Sequence, residues 1–398
     1  MKIEEKELPK GWEVKNLGEV CDIQTGKYDA NHAKSAGKFR FYTCAFDHMF
    51  CDTNRFKGKS IILPGNGANV GEVFYFDGEF DAYQRTYVLN NFDKVYSKFL
   101  FYHLLCYWRK LNQDKQFGSA TNYIRMGNFT DYEVPIPPLP EQQQIVAKIE
   151  ELFSELENGK KELLIAQAKL KTYRQSLLKW AFEGRLTNKN LKANELPKSW
   201  EVKNLGEVCD MTSGGTPSRK NEKFYSGNIP WVKSGELDKG LILDTEEKIT
   251  EEAIKNSSAK IFPRGTLLIA LYGATIGKLA FLGIDAATNQ AVCGIFLNKK
   301  INSSYLFNFL SFKKSELVSQ GIGGAQPNIS QGILKNLKIP LPPLPEQQKI
   351  VAILESKLTI CDAIEETIKT SIKQGEALRQ SILKKAFEGK LINKKNVT

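Results

Sequence analysis

At 398 residues the chain is long enough for two or three domains, and its 41% hydrophobic and 25% charged residues are those of an ordinary globular protein. No run of 18 apolar residues exists and MKIEEKELPK is not a signal peptide, so a membrane-spanning helix is excluded and a cytoplasmic location is expected. Seven cysteines form no C-x-x-C pair and three histidines complete no zinc pattern, while a net charge of +11 suits a polyanionic partner, chiefly nucleic acid.

The first informative stretch runs from Trp12 to Asp22 behind Leu8-Pro9, and the same eleven residues return as Trp200 to Asp210 behind Leu196-Pro197, at an offset of 188. An identical run of that length marks an internal duplication. Trp12 and Trp200 are expected to plug the base of a core, with stacking on DNA as the rival reading. Beyond Asp22 and Asp210 the copies diverge, with segments 23–60 and 211–264 sharing little. Similarity resumes at Ile62–Gly71 against Leu268–Gly277, now at an offset of 206, so the second copy has gained 18 residues. Gln84 and Gln290 share that offset, each before a β-like run and then an apolar helical stretch, Phe99–Trp108 or Tyr305–Phe312. Each half therefore reads as strands joined by Gly-rich turns and followed by a helix, a mixed α/β domain.

Each domain closes on a proline arm, Pro135–Pro140 or Pro340–Pro345, that leads into a long helical pattern. Proline fits the first turn of a helix, where a missing N–H costs nothing; a ligand for a proline-binding domain is the rival reading. In the first copy Ile145, Ile149, Leu152, Leu156, Gly159, Leu163, Ala166, Leu170, Tyr173, Leu177 and Trp180 alternate four and three apart. The second copy offers Ile350, Leu354, Cys361, Ile364, Ile368, Leu378 and Ile382 on the same frame. That is the seam of a coiled coil, and two helices of equal length, each about 65 Å, most simply pair antiparallel. Val146, Phe153, Leu164, Leu178, Ile353, Ile360 and Leu383 fall off the seam and are expected on exposed apolar faces. Both helices stop at Ala-Phe-Glu-Gly, where Gly184 and Gly389 supply a left-handed residue. The tail after Gly389 resembles the linker after Gly184, so the repeat reads as a ring with pseudo-two-fold symmetry, cut open at residue 1. The domains are drawn as 1–138, a helix at 139–187, linker and second domain at 188–343, and a helix with its tail at 344–398.

No catalytic constellation emerges. Gly65–Gly71 is one residue too long for G-x-G-x-x-G, Gly273–Lys278 is two short of a P-loop, and Glu246-Glu-Lys248 lacks a placed acidic partner. The chain is expected to catalyse nothing alone. The shared frame and divergent loops suit DNA recognition, in which cations and backbone N–H groups hold phosphates while Arg, Asn and Gln read base edges. Candidates in the first domain are Lys27, Tyr28, Arg40, Asn66, Asn69, Gln84, Arg85 and Arg125. In the second they are Ser218, Arg219, Lys220, Lys233, Tyr272, Asn289, Gln290, Gln326 and Asn328.

The whole chain resembles the specificity (S) subunit of type I restriction–modification enzymes. The resemblance rests on Leu-Pro-x-x-Trp near each domain start, the Pro-Leu-Pro-Glu-Gln-Gln helix starts and the Ala-Phe-x-Gly-x-Leu helix ends. Gly215-Thr-Pro-Ser-Arg219 and Ile229-Pro-Trp-Val232 add to it, whereas the first domain departs from that pattern with Thr25-Gly-Lys27-Tyr. It implies a non-catalytic subunit with two target-recognition domains, each reading one half of a gapped site in double-stranded DNA, and the divergence of segments 23–60 and 211–264 makes that site asymmetric. The antiparallel helices would set the gap and dock two modification (methyltransferase) subunits, joined by two restriction subunits. No cofactor is then expected in this chain; S-adenosylmethionine, ATP and magnesium would belong to the partners. A stand-alone DNA-binding regulator and a coiled-coil scaffold with sugar- or peptide-binding domains are the alternatives.

Overall fold

The computed structural model describes residues 8–112, 122–188, 190–192, 195–321 and 328–392. The chain divides into two compact units, Met1–Leu164 with Ile368–Thr398, and Ile165–Thr367.

The first unit opens on β1 (Glu13–Asn16) and a single helical turn, α1 (Leu17–Val20). Asn16 caps that turn and Glu19 returns a bond to the Asn16 N–H at 2.9 Å, a capping box that recurs at Asn204 and Glu207. Leu17 and Val20 are buried beside Trp12, so the repeated run is a folded plug. Strands β2 (Asp22–Thr25), β3 (Phe39–Tyr42), β4 (Met49–Cys51), β5 (Phe56–Pro64), β6 (Phe74–Ala82) and β7 (Thr86–Asn90) form one sheet in the order β2-β7-β5-β6-β3-β4. All neighbours are antiparallel except β3 beside β6. Helix α2 (Ser97–Asn112) sets Phe99, Leu104 and Trp108 into the same core as Ile61, Leu63 and Leu89. A turn, α3 (Gly127–Thr130), and β8 (Glu133–Ile136), paired with β1, lead into α4 (Leu139–Phe182).

The second unit repeats this with β9 (Glu201–Asn204), α5 (Leu205–Val208), β10 (Cys209–Ser213) and β11 (Ile229–Val232). It continues through β12 (Leu241–Ile242), β13 (Glu247–Ile249), α6 (Glu251–Lys255), β14 (Ile261–Phe262), β15 (Leu267–Ala270), β16 (Leu279–Leu282), β17 (Ala286–Thr288) and β18 (Val292–Leu297). Helix α7 (Ser303–Ser319), the turn α8 (Gln331–Lys335) and β19 (Lys338–Leu341), paired with β9, then precede α9 (Leu344–Phe387). Here the sheet is split in two, β10-β18-β15-β16-β12 and β13-β11-β17-β14. The nine-residue β5 has become β14 and β15, broken at Pro263-Arg-Gly265, and β6 has become β16 and β17, broken at Gly283. Register shows the equivalence: Phe56 pairs with Phe80, and Phe262 with Ala286, both 206 further on. The 18 extra residues are therefore located. The offset is 190 from Phe41 to Trp231 and 198 from their partners Met49 to Glu247, before reaching 206 at Phe56. Growth went into connections, and the paired strands were kept.

Each long helix spans 44 residues, begins on one unit and ends in the other. At the start, a fully buried glutamine fastens it. Gln142 accepts from the Tyr96 N–H at 2.6 Å and donates to the Pro137 and Lys94 carbonyls; Gln347 does the same with Asn302, Pro342 and Lys300. At the end, Ala181-Phe182 enters the core of the second unit, with Phe182 5.3 Å from Tyr305 and from Phe309. Ala386-Phe387 enters that of the first, against Phe99 and His103. Gly184 and Gly389 close the helices at φ +76° and +68°, the left-handed position expected of them.

Within each unit the helix halves pair antiparallel, through Lys160 and Glu376 in the first unit and Arg174 with Asp362 and Glu365 in the second. The seam departs from the heptad reading. Beyond Leu163 the inward positions are Gln167, Leu170, Arg174, Leu177 and Ala181, while Ala166, Tyr173 and Trp180 face solvent. From Ile145 to Ala181 the inward stripe keeps 3.6 residues per turn, so it drifts one residue away from a strict 3.5 repeat. Ile364 and Leu378 are likewise exposed, while Glu365 is half-buried and the guanidinium of Arg379, itself an exposed residue, lies 4.1 Å over the Phe153 ring. The off-seam apolar set also divides. Val146, Phe153 and Leu383 are buried in the first core and Leu178 and Ile353 are half-buried, leaving Leu164 and Ile360 exposed.

Where α9 ends in the first core, His103 is 2% exposed and burial pushes its pKa down to about 3. The unfolded chain, with its histidine near 6.5, takes up the proton first as pH falls. Stability is full above pH ~6.5 and is lost from there towards pH 3, by about 2 kcal/mol at pH 5. Thermal melts at pH 7.5 and pH 5 should show this loss, and His103→Phe should shrink it; an unchanged pH dependence would show that His103 is not its source.

Candidate nucleic-acid interface

The ends of β2, β3 and β5, the β6–β7 turn and the segment after residue 121 come together through backbone bonds. The Gly26 N–H donates to the Thr86 carbonyl, Tyr83 to Tyr42, Gln84 to Tyr28, Gly65 to Arg85, and Ile124 to Gly65. The second unit repeats the pattern: Gly214 to Val292, Gly215 to Thr288, Asn289 to Val232, Leu271 to Ala291, and Ile329 to Leu271. Asn66 bridges Tyr123 in one unit and Tyr272 bridges Asn328 in the other. Gly26 and Gly214 pass so close to the carbonyls of Ala82 and Thr288 that any Cβ there would overlap them. The backbone thus holds five segments in fixed relation in each unit, whatever their side chains.

Seven of the eight first-domain candidates lie on this frame. Lys27, Gln84, Arg85 and Arg125 are exposed. Tyr28 stacks on His32 at 3.9 Å, and Gln84 donates to Asp29 at 3.5 Å. Asn69 is turned inward to the Cys44 carbonyl, and Arg125 bonds the Tyr123 hydroxyl at 2.9 Å. Arg40 stands apart on β3, its guanidinium 4.5 Å over Phe76; burial, then the charge of Arg40, lowers the pKa of neighbouring His48.

In the second unit Ser218 and Lys220 are exposed, Tyr272 is 42% exposed, and Gln290 accepts from the Thr216 hydroxyl. Asn289 is spent on the N–H of Ala291. Arg219 and Lys233 converge on acids: Arg219 makes a two-pronged bond to Glu247 at 2.6 and 3.3 Å, and Lys233 reaches Glu246 at 2.8 Å and Glu247 at 3.1 Å. The bond from Arg219 holds the Glu247 carboxyl below the usual range, and the bond to Glu246 raises the Lys233 pKa. Asn328 is exposed on the frame, whereas Gln326 lies outside the described residues.

Three further residues belong to the surface. Phe46, 65% exposed on the loop after β3, lies against Phe74. Tyr123 faces Asn66 and could have been found from Asn328, 205 positions on. Thr216 orients Gln290, and it was legible in the Gly-Thr-Pro-Ser-Arg run. Burial drives the thiols of Cys21, Cys209 and Cys293 up to about 12, so these cysteines are packing groups. Among the described residues no group of acids, histidines and cysteines could hold a metal, and no helix is long and apolar enough to cross a membrane.

A family model described as the type I restriction modification DNA specificity domain matches the chain twice, over residues 9–165 and 197–374. The EcoDI specificity subunit of Escherichia coli, of a type I restriction enzyme, is 27% identical over 411 residues, spanning 96% of this chain and 89% of the relative. The MjaVIII specificity subunit of Methanocaldococcus jannaschii is 26% identical over 407 residues, spanning 96% and 94%. Among solved structures, a chain from a study of type I R-M complex assembly and conformational transition superposes with a TM-score of 0.74 at 22% identity, covering 96% of this chain and 99% of that one. The HsdS subunit from Thermoanaerobacter tengcongensis gives 0.62 at 21%, covering 96% and 98%. With two family matches over most of its length, each ending inside a long helix, the chain belongs to the type I restriction–modification specificity subunits, the non-catalytic components that give these enzymes their DNA sequence specificity.

Proposed function

We propose that each loop frame reads one half of a gapped, asymmetric site in double-stranded DNA. The observation that carries this reading is the recurrence of one backbone frame bearing mostly unlike side chains around a shared glutamine: Asn66, Arg85 and Arg125 with Gln84 on one, Tyr272, Ser218, Lys220 and Asn328 with Gln290 on the other. Exposed cations hold phosphates and the amides meet base edges. Gln84 and Gln290 occupy equivalent places in the two frames, so each should act on its own half-site. Gln290→Ala is expected to relax one base position in one half-site, at a cost of about 1–3 kcal/mol. Gln84→Ala should do the same in the other half alone. Methylation mapping with each variant checks this; a palindromic target, or one variant altering both halves, overturns the assignment.

The partner side of the reading rests on the helices. In the second unit Arg174 bonds Asp362 and Glu365 across the pair, and Tyr173, Trp180, Ile360 and Ile364 stay on its exposed surface. These four are 41%, 42%, 57% and 44% exposed, an apolar stripe of the kind that protein partners cover. A methyltransferase subunit docks there, two such subunits bind per chain, and two restriction subunits join them. S-adenosylmethionine, ATP and magnesium are held by those partners, and the assembly works in the cytoplasm. Trp180→Asp with Ile364→Asp should abolish co-purification of a methyltransferase subunit at the second unit, lowering the partner ratio from two to one by native mass spectrometry. A ratio still at two would place docking elsewhere.

A further inference from the structure

The loop after β10 alternates. Three of its residues are tied into the domain: the Gly215 carbonyl accepts from the Trp231 indole at 3.1 Å, the Pro217 carbonyl from the Tyr225 hydroxyl at 2.6 Å, and Arg219 grips Glu247. The residues between them turn the other way. Thr216 meets Gln290, and the Ser218 and Lys220 side chains are exposed, the Ser218 carbonyl accepting from the Asn221 N–H. Tyr225 and Trp231, the donors to the first two ties, also form the bed for the third. Their rings meet edge to face at 5.8 Å, and the Arg219 guanidinium lies 4.2 Å over one and 5.1 Å over the other. Lys233 bonds the same Glu247 from its other side. A guanidinium so engaged has its fork on a carboxylate and its face on two rings. Glu247 sits on β13, whose register with β11 puts it opposite Trp231, so the tie runs from the loop to a paired strand.

We propose that Arg219 is a positioning residue that locks the loop to β13 through Glu247, and that Ser218 and Lys220 are the residues of this loop that touch DNA. The inference rests on the loop frame being the DNA interface. It assigns Glu247, an acid on a DNA-facing surface where bare electrostatics would disfavour one, a role in recognition. It also separates the two neighbouring cations, both exposed: Lys220 neutralises a phosphate, whereas Arg219 is neutralised by Glu247 at the surface.

The test uses the full chain in complex with its methyltransferase partner, on duplex DNA carrying the methylation-mapped site. Lys220→Ala should reduce the slope of log affinity against log salt by about one, since one phosphate contact is lost. Arg219→Ala and Glu247→Ala should each weaken binding about tenfold with the slope unchanged, and the double variant should be no worse than either single one. Arg219→Lys, which keeps the charge and loses the fork, should behave like Arg219→Ala. Unaltered recognition of the half-site read by the first domain serves as the control for folding. The proposal is overturned if Arg219→Ala lowers the salt slope or if Glu247→Ala tightens binding, because either result puts the guanidinium on DNA. If Lys220→Ala and Ser218→Ala both leave affinity, slope and methylated sequence unchanged, the loop does not meet DNA and the interface assignment itself fails.

Discussion

The structure depends on each long helix beginning on one recognition domain and ending in the core of the other. Phe182 and Phe387 are core residues in the full sense, buried among the aromatic rings of α7 and α2. Without α9 the first core would lose Ile382, Leu383, Ala386 and Phe387 together, an apolar deficit of several kcal/mol even at a modest 1.5–3 kcal/mol per large side chain. This explains why the helices can tolerate a thin seam midway, where a Cβ at Gly159 or Gly375 would meet nothing and Lys160 pairs with Glu376. Their ends are fixed by burial and their starts by Gln142 and Gln347, so the middle has little left to hold.

Much of the fold was legible in the sequence because duplication exposes its frame. The eleven identical residues encode a strand, a capping box and a plug, all local, and the offsets of 188 and 206 bracket the divergent segment. The long helices were visible from periodicity, and their stops from Ala-Phe-Glu-Gly. The seam was misread past Leu163 because a heptad template assumes supercoiling. Tyr173 and Trp180 fit that template by being apolar, while Arg174 and Glu365, which meet across the pair, were passed over for being charged. Apolarity alone does not tell a core stripe from an exposed one.

The loop frame was legible in a different degree. Gly-rich runs and the paired glutamines pointed to the right segments, since a tight turn and a close backbone approach both demand glycine. Sequence could not separate outward from inward side chains within those segments. Asn69 and Asn289 look like base readers and are spent on local backbone groups. Arg40 lies on a sheet face, over an aromatic ring. The deciding partners, Asp29, Thr216 and Glu247, came from residue types that read as surface in a linear scan.

The frame also explains how such a chain can keep its fold while the bases it reads change. Specificity requires side chains that differ between the two units, and stability requires a backbone that does not. Here the two demands fall on different atoms. The bonds that gather the loops run between main-chain groups, or from ring side chains to carbonyls, and the close approach at Gly26 and Gly214 leaves no room for a side chain at either. Outward residues such as Lys27, Gln84, Ser218 and Lys220 pack against little, so exchanging them costs little folding free energy. A charge that must be held in place is the exception. Arg219 needs Glu247, Tyr225 and Trp231 at once, so that corner must change as a unit or stay as it is.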